Sequence, residues 1–296
     1  MKDFIDTRNS YRFLKYFQYL EHEYRTLDNQ YSFRDNVISI KLASNTCDEP
    51  RTIDCVLGEY NKVVINGEMG SGKSVLVQYF IQAMSYYTVN LTKIACGNLI
   101  SLKFDVDGYY NNKNAGISVE TFKDYIIQTF NKIVPEDKDL VNEHSIFEND
   151  DVIFDTLLHN KQLVLIFEDI TKLSKIGRNL FLKLLKEFSL EYPNIKYLIV
   201  GNYAPDNFYQ FHIKPFDYQQ IKDYITLYTQ NRKCDKQSSE RLISLILNNP
   251  KLIVMCGNPK RLKTICDLSL NTFPLHYIML DDTELNDLKE IYRNIL

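Results

Sequence analysis

Short apolar runs and longer helical stripes alternate along this chain. Val63-Val64-Ile65, the stretch from Leu163 to Phe167 and the stretch from Ile195 to Val200 carry apolar residues almost without interruption. Strands buried on both faces of a parallel sheet read in this way. Leu99 to Val106 is a further predicted strand, followed by a loop at 107–116 whose Asp, Gly and Asn content marks a turn. Between the strands lie stripes of helical period. Phe13, Phe17, Leu20, Tyr24 and Leu27 form one over 10–27, Val75, Leu76, Tyr79, Phe80 and Met84 a second, and Phe122, Tyr125, Ile126 and Phe130, behind a Ser118 cap, a third. A short stripe through Phe154, Leu157 and Leu158 follows the acidic stretch 136–151, which reads as a solvated connection. Leu180, Phe181, Leu184, Leu185 and Phe188 form another stripe after the strand that ends at Phe167.

Residues 41–60 are polar and irregular and read as a connection. From Pro215 onward only helices are predicted. One runs through Ile221, Tyr224, Ile225 and Tyr228 behind an Asp217/Gln220 capping box. Another begins at Ser238 or Ser239, a third follows Gly257, and an amphipathic tail spans 281–296. The order predicts an α/β doubly wound parallel sheet with a C-terminal helical lid, divided as a helical lead-in at 1–57, a core at 58–205 and a lid at 206–296.

Chemistry concentrates where the first strand ends. Gly67-Glu68-Met69-Gly70-Ser71-Gly72-Lys73-Ser74 fits G-x-x-x-x-G-K-[ST] at every fixed position, between a buried strand and an amphipathic helix that begins near Val75. Glycines let backbone N–H groups curl around a phosphate at a helix N-terminus. Lys73 would neutralise the β/γ oxygens, and Ser74 would hold Mg²⁺. The strand ending in Glu168-Asp169 supplies the acids such a site needs. It is expected beside the phosphate-loop strand, with Glu168 ordering Mg²⁺ through water and Asp169 orienting the attacking water. Asn202, at the tip of the next strand, has two readings: it senses the γ-phosphate or holds the water, or it caps the following turn.

At 296 residues, with 45% hydrophobic and 25% charged residues, the chain can bury a large core. Its net charge of −3 gives no overall basic field, so nucleic acid is not the favoured partner. The six cysteines form no zinc or disulfide pattern and the five histidines no metal motif. The N-terminus lacks a signal-peptide core and no run is long enough to span a bilayer, so a cytoplasmic location with no membrane role is expected.

Several segments resemble the NACHT group of STAND signalling NTPases, in the AAA+-like branch of P-loop NTPases. These are Tyr19-Leu-Glu-His-Glu-Tyr-Arg-Thr-Leu-Asp, Gly67 to Ser74, Ile100-Ser-Leu-Lys-Phe-Asp-Val, Phe216-Asp-Tyr-Gln-Gln-Ile-Lys-Asp-Tyr-Ile, and Asn249-Pro-Lys-Leu before Gly257-Asn-Pro. The resemblance implies an ATP- or ADP-binding switch using Mg²⁺, working in defence or stress signalling through a protein partner or self-assembly. It also places Pro259 at a lid proline packed near the adenine. The chain departs from the family habit at Glu168, Asp169, Thr171-Lys172 and Gly201-Asn202-Tyr203, which implies slow hydrolysis. An ATPase acting on nucleic acid, suggested by Asn202 and by Lys260, Arg261 and Lys263, is the first rival reading. A non-hydrolysing nucleotide-bound scaffold is the second.

Overall fold

The computed structural model describes residues 19–20, 38–44, 47–89, 99–111, 118–133, 163–168 and 170–270. The expected helices at 10–27, apart from helical Tyr19 and Leu20, through Phe154 to Leu158 and at 281–296 lie outside these residues. The chain divides into two compact units, Met1–Lys214 and Pro215–Leu296.

The first unit contains β1 (Leu42–Ser44), β2 (Cys47–Arg51), α1 (Ile53–Glu59), β3 (Lys62–Asn66) and α2 (Lys73–Val89). Next come β4 (Ile100–Phe104), α3 (Val106–Asn111), α4 (Val119–Ile133) and β5 (Leu163–Phe167). A 3-10 turn at Ile170–Lys172 leads to α5 (Lys175–Glu191), β6 (Lys196–Val200) and β7 (Tyr209–Ile213). The strands form one sheet in the order β2-β1-β7-β3-β6-β5-β4. The five from β7 to β4 run parallel, and the β1–β2 hairpin is added antiparallel. From β3 the chain crosses to the far strand β4 and then returns strand by strand, so right-handed crossovers place helices on both faces.

Side-chain contacts identify one of those faces. Lys62 Nζ donates to Ser189 Oγ of α5 at 3.1 Å, and the Tyr197 hydroxyl donates to the Tyr192 carbonyl at 2.9 Å. Phe104 and Phe167 pack against Phe122 of α4 and Phe181 of α5, with ring centroids 4.7 to 6.2 Å apart. The alternate residues, among them Lys103, Ile166 and Ile65, belong to the opposite face, toward which the β3-to-β4 crossover carries α2.

Four expectations are corrected here. Residues 41–60 hold β1, β2 and α1, because Leu42, Ile53, Val56 and Leu57 are fully buried although their neighbours are polar. The 107–116 loop begins as helix α3, in which Asp105 accepts from Gly108 N–H at 2.9 Å and caps the turn. Val75 is 52% exposed, because the buried stripe of α2 runs instead through Leu76, Val77, Phe80, Ile81 and Met84. β7 belongs to the sheet, so the division falls after Lys214 rather than at 206. Only Phe211 of β7 is buried, and a strand so exposed carries no apolar run.

The second unit, among the described residues, is helical: α6 (Tyr218–Asn231), α7 (Lys236–Leu247), α8 (Pro250–Cys256) and α9 (Pro259–Leu270). The Asp217/Gln220 capping box forms as read. For α7 the cap is Asp235, which accepts from Ser238 N–H at 2.6 Å, so the helix starts earlier than Ser238.

Candidate functional site

β3 ends at the sheet's topological switch: its own crossover leaves toward β4, while the chain from β6 passes to β7 on its other side. In open α/β sheets ligand crevices form outside the carboxyl ends of strands at such a point. The Gly67–Ser74 loop fills this position and leads into α2. Gly70 and Gly72 have φ of 81° and 97°, a region that L side chains avoid, and this lets the loop fold back over the helix end. Gly67 is held for a different reason, since a Cβ there would lie 2.6 Å from Ser71 Oγ. Ser71 N–H donates to the Glu68 carbonyl at 3.3 Å, and Leu76 N–H to the Gly72 carbonyl at 2.8 Å. The N–H groups of Lys73 and Ser74 lie in the first turn of α2, where a helix offers them no acceptor.

Lys73 folds over the loop, its Nζ donating to the Gly67 carbonyl at 2.5 Å and to that of Glu68 at 2.8 Å. Burial lowers its pKa, and the Glu68 carboxylate partly opposes that shift. The loop tip is exposed at Glu68 and Met69, and Ser74 is also exposed. Among the described residues four buried side-chain polar atoms lack a hydrogen-bond partner, and two of them lie here, Ser71 Oγ within the loop and Asn66 Oδ1 just before it. Unsatisfied buried polar atoms are rare enough to call for an explanation, and for the Ser71 hydroxyl, which can donate, a ligand-binding loop provides one.

Gly201 N–H donates to the Ile65 carbonyl at 3.0 Å, which extends the β6–β3 pairing and brings Gly201-Asn202 alongside the entrance to the loop. Asn202 is exposed there, and the next residue, Tyr203, lies under the Arg178 guanidinium at 4.0 Å. Asn202 is marked by its place at the strand tip, whereas nothing in the local sequence pairs Tyr203 with Arg178. The position of Glu168 corrects the sequence reading. β5 is not beside β3, because β6, buried at all five residues, takes the central place between them. Glu168 therefore stands two strands from the loop strand, and its carboxylate is ion-paired with Lys103 of β4. Asp169 lies outside the described residues. Pro259 opens α9 in the second unit, behind Asn258, whose Oδ1 accepts from Lys260 and Arg261 N–H at 3.0 and 3.4 Å.

The residues present fit a phosphate group: a glycine-shaped loop at a helix N-terminus, a lysine ammonium over it and, inside it, the Ser71 hydroxyl, which can donate. For a hard divalent cation, Ser74 and Glu168 offer oxygen, but Glu168 already has a cation beside it.

No family model matches the chain, and no curated protein matches it. Solved structures similar to it include a DNA replication initiation factor, at 15% identity and TM-score 0.38, covering 80% of this chain and 62% of that one. The Thermotoga maritima RuvB Holliday junction branch migration motor is 13% identical with a TM-score of 0.34, covering 79% and 70%. Domain III of the Thermotoga maritima replication initiation protein DnaA is 13% identical with a TM-score of 0.35, covering 72% and 84%. The chain thus spans less than two thirds of the first of these. At such identities and scores the site is read from its own geometry. Among the described residues no helix is long and apolar enough to cross a membrane.

Proposed function

We propose that this chain binds ATP or ADP with Mg²⁺ and acts as a slowly hydrolysing switch whose nucleotide state governs association with a protein partner or with further copies of itself. The observation that carries the reading is the Gly67–Ser74 loop, with its left-handed glycines, its overlying Lys73 and its place at the sheet's switch point. Lys73 and the first-turn N–H groups would hold the phosphates, and Ser74 would hold the metal with the phosphate oxygens. Glu168, Asp169 and Asn202 would order water at the outer phosphate. Mg²⁺ bound with the nucleotide supplies charge neutralisation there. The NACHT resemblance supports the signalling role, and the Glu168-Asp169 order supports slow turnover.

Titration of the full chain with ATP and ADP, with and without Mg²⁺, tests the reading, together with light scattering in each state. Saturable nucleotide binding and a mass that differs between ADP and an ATP analogue are expected. Absence of binding overturns the proposal. The nucleic-acid reading draws on Lys260, Arg261 and Lys263, but Lys263 is already paired with Asp267 at 3.3 Å. DNA binding that weakens steeply with salt would favour it.

A further inference from the structure

The acid at the end of β5 has a cation of its own. Lys103 stands opposite Ile166 in the β4–β5 register, and Glu168 follows Ile166 by two residues, so both side chains rise from the same face of the sheet. That is the face opposite Phe104 and Phe167, toward which α2 is carried. The two side chains differ in exposure, 11% for Glu168 and 46% for Lys103. The carboxylate is therefore the desolvated member of the pair. The ammonium reaches it from β4, the last strand in the sheet order, on a flexible four-carbon stem. A nearly buried carboxylate needs a positive partner, and removing that partner is costly. In this chain either Lys103 or a divalent ion can fill the role, and a half-exposed lysine can leave at modest cost because water receives it.

We propose that Lys103 is a resident counter-cation competing with Mg²⁺ for Glu168, so that the metal gains Glu168 only when the ion pair opens. The pair is then a brake on metal capture built into the adjoining strands. The inference rests on the reading of Gly67–Ser74 as a phosphate site and names the regulation of that site. A purely structural ion pair would leave metal dependence untouched.

The test is ADP affinity measured by calorimetry across a Mg²⁺ titration in the full chain, for wild type, Lys103→Met, Glu168→Gln and the double variant. Lys103→Met should move the Mg²⁺ midpoint to lower concentration by roughly fivefold or more, the lower end of coupling between sites. In the double variant that gain should vanish. An unmoved midpoint in Lys103→Met overturns the proposal, and so does a gain that persists without Glu168, since Lys103 would then act elsewhere. Lys103→Gln provides the same comparison if the methionine variant does not fold. Absence of ADP binding at every Mg²⁺ concentration overturns the phosphate-site reading as well. Normal ADP binding with an insensitive midpoint overturns only the counter-cation.

Discussion

The end of β3 and the contact between α6 and α9 treat their polar groups in opposite ways. In the helical unit Tyr228, only 2% exposed, donates its hydroxyl to Asp267, which also accepts from Arg232 at 2.8 Å and Lys263 at 3.3 Å. The Arg232 guanidinium covers the Tyr228 ring at 4.8 Å. Asp267 thus binds Tyr228 and Arg232 across the helix contact and Lys263 within its own helix, so each of these polar groups has a partner. At the loop after β3, Ser71 Oγ and Asn66 Oδ1 have none among the described residues, and Lys73 bonds there to the loop's own carbonyls. A network satisfied from within holds helices together. A cluster whose charge is parked on backbone carbonyls is suited to a ligand that replaces them.

The strongest way to break this comparison is Lys73→Ala. Removing a charge directed at phosphate should weaken ATP binding by at least about thirtyfold, corresponding to about 2 kcal/mol, with little change in Tm. Near-wild-type affinity in a fluorescence titration would mean that the loop is only a turn. Asp267→Ala should show the opposite pattern, with nucleotide binding kept and the helical unit destabilised. The Tyr228 hydroxyl, left buried without its acceptor, dominates at about 1–3 kcal/mol, because the part-exposed Arg232 and Lys263 pairs add little. Urea unfolding that does not distinguish this variant from wild type would mean that Asp267 does not hold α6 to α9. The smallest effect is one of pH. Burial, then the bond to Asp267, raises the Tyr228 pKa above its ordinary 10.0. Below that pH both folded and unfolded chains keep the proton. Above it the unfolded tyrosine ionises while the folded one does not, so stability falls as pH rises. Tyr228→Phe should flatten part of that alkaline decline, and an identical decline in both proteins would contradict it.

How much of this was legible depended on whether the cause was local. The buried strands showed as apolar runs because both faces of β3, β5 and β6 are covered. The Asp217/Gln220 box showed because its two hydrogen bonds span only three residues. β7 was hidden because it is mostly exposed, and its place between β1 and β3 is set by backbone pairing, which leaves little trace in side-chain pattern. Ser238 was a plausible cap by composition, but Asp235 lies three residues earlier and takes its N–H.

By itself the sequence determined the glycine turn between β3 and α2, since Gly67 to Ser74 are contiguous and the φ values of Gly70 and Gly72 need only local freedom. It also determined which apolar runs become strands and that, among the described residues, the chain is helical after Pro215. Only the tertiary structure decided which strands lie side by side, because strand order follows from how crossovers bury both faces of the sheet at once. That order set β6 between β3 and β5, stood Asn202 rather than Glu168 beside the loop strand, and gave Glu168 a lysine from β4 as its partner. Lys103 and Glu168 are 65 residues apart in the chain, and nothing in their local sequence pairs them.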